Sequence, residues 1–189
     1  MKTLTLFFFI ILAATLTSNA QITKGNWLVG GSGSFSTSTF TSENTDGSES
    51  KQKGTSLRIS PNLGFFISDR FAVGLDLSLN FANSEGRDNS NWAIGLGPFV
   101  RYYFLPEDKL INIFSQTSIR FNNGLSEINK DSKSTTFGLS AGGVIFFNSS
   151  VGLELSLNYE DITVKRANSN NRNTDIFFVG LGFQIHLEK

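Results

Sequence analysis

Cysteine is absent, and with it go disulfides, thiolate metal sites and a lipid anchor carried on a cysteine. Histidine occurs once, as His186, and no grouping of His with carboxylates suits a transition metal. No cofactor is therefore expected. Charge is sparse and balanced, with 16 Lys and Arg against 16 Asp and Glu in 189 residues, so there is no basic footprint for nucleic acid. Beyond the first twenty residues, no apolar run is long enough for a membrane helix. Proline is rare: Pro61, Pro98 and Pro106. What the chain has in quantity is phenylalanine, at 19 residues, and glycine, at 18.

Residues 1–20 read as a secretory signal peptide. Lys2 is a short positive start, residues 4–16 are apolar, and Ser18 and Ala20 are small residues placed for cleavage after Ala20. The apolar stretch is short for a spanning anchor, and its small-residue end favours removal. Residues 21–189 then form one domain.

That domain alternates. In residues 71–82, Phe71, Val73, Leu75, Leu77, Leu79 and Phe81 fall on one side; Ala72, Gly74, Asp76, Ser78, Asn80 and Ala82 fall on the other. Successive strand residues point to opposite faces, so this is a strand with one apolar and one small or polar face. Its length matches the roughly 9–11 tilted residues that cross a bilayer. The same two-faced pattern recurs over 27–40, 55–67, 92–104, 110–121, 135–147, 151–164 and 174–187, giving eight strands. Three tight turns, Ser68-Asp69-Arg70, Pro106-Glu107-Asp108 and Asn148-Ser149-Ser150, alternate with four polar stretches, 41–54, 83–91, 122–134 and 165–173.

Short and long connections alternate in this way when turns lie on the periplasmic side of an outer membrane and loops lie outside. Closing the sheet removes edges that lipid cannot satisfy. The fold class is thus all-β: an eight-stranded antiparallel up-and-down transmembrane β-barrel. Aromatics cluster where girdles belong, with Phe65, Phe71, Tyr102, Phe104 and Phe147 by the turns and Phe81, Trp92, Phe121, Phe137 and Phe177 by the loops. Pro61 and Pro98 fall inside strands, where proline cannot donate to the ladder. Each is expected at a bulge, or beside an unpaired carbonyl.

The run Pro61-x-x-Gly64-Phe65, then Asp69 and Gly74, then Gly97-Pro98-Phe99-Val100-Arg101-Tyr102-Tyr103-Phe104, resembles the small outer-membrane β-barrel domain proteins of Bacteroidota. In architecture these are similar to the OmpX and OmpA barrels. The resemblance implies insertion by the barrel assembly machinery. Gly180-x-x-Phe183-x-Ile185 has the terminal spacing of such barrels, although Glu188 and Lys189 follow where a terminal Phe is commonest.

The faces define the lumen. Inward charges are Arg58, Asp76, Arg101, Arg120, Glu154 and Glu160. Counting up from the turns puts Asp76, Arg101 and Glu154 in a lower layer and Arg58, Arg120 and Glu160 in an upper one. Arg101 is expected to pair with Asp76 on the adjacent strand, or with Glu154 across the barrel. Eight strands leave an interior that side chains can fill, so the charges read as a paired network plugging the lumen. The alternative is a narrow channel for ions or small solutes.

Catalysis is not expected. His186 sits at the periplasmic end, far from substrates in the outer leaflet. Gly30-Gly31-Ser32-Gly33 opens no helix and cradles no phosphate. The expected role is structural or surface-binding. Partners would be outer-membrane lipids, with Lys165, Arg166 and Arg172 meeting lipopolysaccharide phosphates by charge-assisted bonds. Exposed edges near the loops could also pair with a protein.

Overall fold

A computed structural model of the chain describes residues 22–43, 49–84, 91–125, 133–166 and 169–188. The signal peptide and its cleavage site lie outside the described residues. Eight antiparallel strands close into a barrel in sequence order: β1 (Trp27–Glu43), β2 (Glu49–Ser68), β3 (Phe71–Ser84), β4 (Asn91–Tyr103), β5 (Ile111–Gly124), β6 (Lys133–Phe146), β7 (Val151–Arg166) and β8 (Ser169–Leu187).

The side-chain alternation sorts as the sequence pattern requires. Leu75, Leu96, Leu155, Leu157, Val179 and Phe183 are exposed on the outer face. Asp76, Ser78, Arg101, Arg120, Glu154 and Glu160 are buried inside. An outer surface of Leu, Val and Phe is intelligible only against hydrocarbon.

The turn end is well ordered by local chemistry. Arg70, in the β2–β3 turn, has φ 65°, a left-handed conformation that reverses the chain in two residues. Asn148 caps the β6–β7 turn: its Oδ1 accepts from the amides of Ser150 at 2.8 Å and Val151 at 2.7 Å. Asn112 does the same for the β4–β5 connection, accepting from Leu105 N at 3.0 Å and donating to Leu105 O at 2.9 Å. The segment before β1 folds across this mouth. Gly25 N donates to Phe66 O, and Arg70 N donates to Ile22 O. Ile22 has no exposed surface.

Three details go beyond the two-faced pattern. First, two of the polar stretches, 41–54 and 165–173, are strand wherever they are described. β1 and β2 stay paired up to Glu43↔Glu49, and β7 and β8 up to Arg166↔Ser169. The residues of these hairpin ends are polar at odd and even positions alike, so no apolar alternation marks them as strand. Second, of the two placements expected for the prolines, a bulge or an unpaired neighbour, it is the unpaired position that occurs. The β2–β3 ladder lacks pairs at Ser60 and Pro61, and the β4–β5 ladder lacks them at Gly97 and Pro98, with the same register on either side. The missing proline N–H leaves a gap and shifts nothing. Third, the barrel is joined unevenly. β1 pairs with β8 only over Trp27–Gly33 against Leu181–Leu187.

Candidate functional site

Register decides which lumen charges can meet. Arg101 on β4 lies opposite Ala72 on β3, and Asp76 lies opposite Gly97. Arg101 and Asp76 are therefore four residues apart along the strands, about 13 Å. Of the two partners expected for Arg101, Asp76 is out of reach and Glu154 is the one it meets. Counting from the turns put Arg101 and Asp76 in one layer because it ignored the stagger between tilted strands.

Arg120 takes Asp76 instead, at 2.7 Å. It reaches β3 from β5 across β4, and Gly97 lies between them with no side chain in the way. Any Cβ on Gly97 would run into the backbone of Ile119 and Arg120. The same guanidinium bonds Glu160 on β7 through its other terminal nitrogen. Glu160 also accepts from Arg58 on β2 at 2.5 Å, and Arg58 Nε donates to Asn80 at 2.6 Å. The upper layer is thus a chain, Asp76–Arg120–Glu160–Arg58, with two charges of each sign. Its members come from four strands. Asp76 belongs to it, not to the lower layer.

The lower layer is a cross-barrel pair. Arg101 Nη1 donates to Glu154 at 2.5 Å and to Tyr103 OH at 3.1 Å, and its Nε donates to Gln116 at 2.8 Å. Gln184 Nε2 donates to the other Glu154 oxygen at 3.3 Å. The guanidinium also lies 4.4 Å from the centre of the Phe114 ring. Arg101 and Glu154 are each 4 % exposed. Ionised groups so far from bulk water persist only when every strong donor and acceptor is met, and Arg supplies the fork that meets them.

Between the layers is a cavity of about 40 Å³. Asn62, Arg120 and Gln184 line it, and each has a buried polar atom without a protein partner: Asn62 Oδ1, Arg120 Nε and Gln184 Oε1. A polar space of that size takes on the order of two or three waters. Above the upper layer, a vestibule of about 260 Å³ opens toward the loop end, lined by Ser56, Ser78, Asn80, Asn122 and Thr136.

Below the lower layer the lumen is apolar, which the sequence reading missed. Phe66, Phe99, Tyr103, Phe114 and Phe146 point inward and are buried with Ile22. His186 is sealed among them, its ring tilted against Phe66 and edge-on to Tyr103 and Phe146, with Nε2 3.4 Å from Tyr103 OH. A signal was present. Phe66, Phe146 and Tyr103 are inward residues close to the tight turns, where the polar face turns aromatic. Lys165, Arg166 and Arg172 lie on strand backbone in the β7–β8 hairpin, not in a loop. Their side chains lie outside the described residues.

An apolar floor, a crossed ion pair and a four-member ion chain lie inside a lipid-facing cylinder, which is a small transmembrane barrel. The chain belongs to the outer membrane protein beta-barrel domain family, whose sequence pattern matches residues 5–189. It is an OmpA-like barrel of the outer membrane. The comparison with curated proteins finds no match. Among solved structures, OprG from Pseudomonas aeruginosa is similar at a TM-score of 0.55 and 12 % identity, over 90 % of this chain and 100 % of that one. Neisserial surface protein A, NspA, is similar at 0.56 and 16 %, over 86 % and 97 %. At these identities the likeness is one of fold. The outer membrane enzyme PagL follows at 0.43, too distant to carry an argument.

Proposed function

We propose that this is a structural, surface-exposed barrel with a plugged lumen and no catalytic site. The observation that carries the reading is the Arg101–Glu154 pair, which spans the interior over an aromatic floor. A permeant ion would have to displace Ile22, pass the ring cluster and break this pair. Among the described residues no carboxylate meets the His186 ring, which is sealed at the turn end, away from the outer leaflet. In this reading the partners are outer-membrane lipids, with lipopolysaccharide phosphates at Lys165, Arg166 and Arg172. The assembly machinery inserts the chain after removal of residues 1–20. The motif around Gly97 and Pro98 supports an origin in the Bacteroidota.

The test is conductance of the refolded protein in a planar bilayer. Wild type should give no sustained current. A steady open channel would replace the plug with a narrow conduction path.

A further inference from the structure

The seam between β1 and β8 stops short. β1 keeps its β2 partner through Glu43, and β8 keeps its β7 partner from Ser169. Yet the two pair with each other only up to Gly33 and Leu181. Above that point, among the described residues, Ser34 to Glu43 of β1 and Ser169 to Gly180 of β8 each present an edge to no strand. Phe35 and Phe177 stand on the outer face there, 68 % and 80 % exposed. Phe177 is at the upper aromatic girdle, so the seam opens within the outer leaflet and continues into water. In the leaflet, lipid satisfies no backbone N–H or C=O. In water, a bare edge is a template for another strand.

We infer that two copies of this chain pair through these edges, β1 of each against β8 of the other. Polarity allows it. β1 runs away from the turn end and β8 runs back, so two barrels standing the same way up in one membrane set β1 of one antiparallel to β8 of the other. The faces agree as well. Extended upward, the register of the closed part places Phe35 beside Val179 and Thr37 beside Phe177 on the lipid side, and Ser36 beside Phe178 on the lumen side. Apolar side chains meet apolar ones, and small residues accommodate large ones. A two-fold axis then satisfies all four edges at once, which is the closed, self-complementary arrangement favoured in symmetric oligomers. A single foreign strand inserted in the seam would be antiparallel to one edge and necessarily parallel to the other.

The absence of native cysteine makes the test clean. Thr37→Cys and Phe177→Cys variants are refolded separately and then together in the same bilayer, and oxidised. The Cβ separation of directly opposed strand residues suits a disulfide. The expected result is a shift from monomer to a dimer that contains one of each variant and is lost on reduction. Neither variant alone should give it. The double variant Thr37→Cys/Phe177→Cys is oxidised in parallel, and Gly33→Cys/Leu181→Cys reports that the closed part of the seam has formed. If the double variant gives a bridge within one chain and the mixture gives no dimer, the seam zips onto itself and the inference fails. If the Gly33–Leu181 bridge forms but no Thr37–Phe177 bridge does in any sample, the edges stay apart, and the inference fails again.

Discussion

Arg120 holds two carboxylates from strands on either side of it, and among the described residues no other cation bonds Asp76. Arg120→Leu leaves Asp76 and Glu160 facing a buried space without their shared cation. The expected cost is about 3–5 kcal/mol, tempered by whatever water the vestibule admits. Arg58→Leu should cost less, because Arg58 is 19 % exposed, its partner Glu160 keeps Arg120, and water can enter behind it. Urea unfolding of both variants in lipid vesicles checks the order, and equal costs would mean that the chain of charges is not coupled as its geometry indicates. Adding Asp76→Asn to Arg120→Leu should recover part of the loss, since one stranded charge is gone. Gly97 carries a separate constraint. Gly97→Ala drives a methyl into the backbone of β5, which cannot rotate away, and should destabilise by roughly 1–3 kcal/mol. A variant as stable as wild type would show that β4 and β5 have room to part there.

At the scale of the strand, what could be read in advance was whatever a period of two can encode. The inside–outside phase of β3 was legible because Leu75 and Leu77 alternate with Asp76 and Ser78, and one face had to meet lipid. The ends of β1, β2, β7 and β8 were not, since a strand that is polar at odd and even positions alike has no alternation to show. Nor was the partner of Asp76. Sequence gives the face a residue occupies, but pairing across a barrel depends on stagger, and stagger appears only when strands are set side by side. The aromatic floor went unread: Phe66 and Phe146 do break a polar face, but nothing in one strand says that the breaks of several strands converge. The phase itself is testable. Leu77→Arg puts a cation on the outer face near mid-membrane and should cost about 2–4 kcal/mol. Folding into bilayers with undiminished stability would mean that the face of β3 is misassigned. Ser78→Arg, one residue on, enters the lumen beside Asn122 and should respond to the packing of the vestibule instead.

For the whole molecule, a barrel closed through all eight strands should survive mild detergent as a folded unit. Unboiled protein should migrate differently from boiled protein on a gel, and the chain should stay with membranes through an alkaline carbonate wash. Recovery in the soluble fraction with no such difference would be incompatible with a transmembrane barrel. One feature of the interior also bears on how many strands the sequence permits. Both glutamates of the lumen, Glu154 and Glu160, belong to β7, and the arginines they receive come from β2, β4 and β5. Before the last hairpin arrives, the interior holds, among the described residues, Arg58, Arg101 and Arg120 against Asp76. A six-stranded cylinder made of the earlier strands would thus enclose an excess of positive charge with no counter-charge to meet it. Charge neutrality is reached only when β7 swings into place, so the inventory of the lumen counts the strands and disfavours sealing the wall too soon.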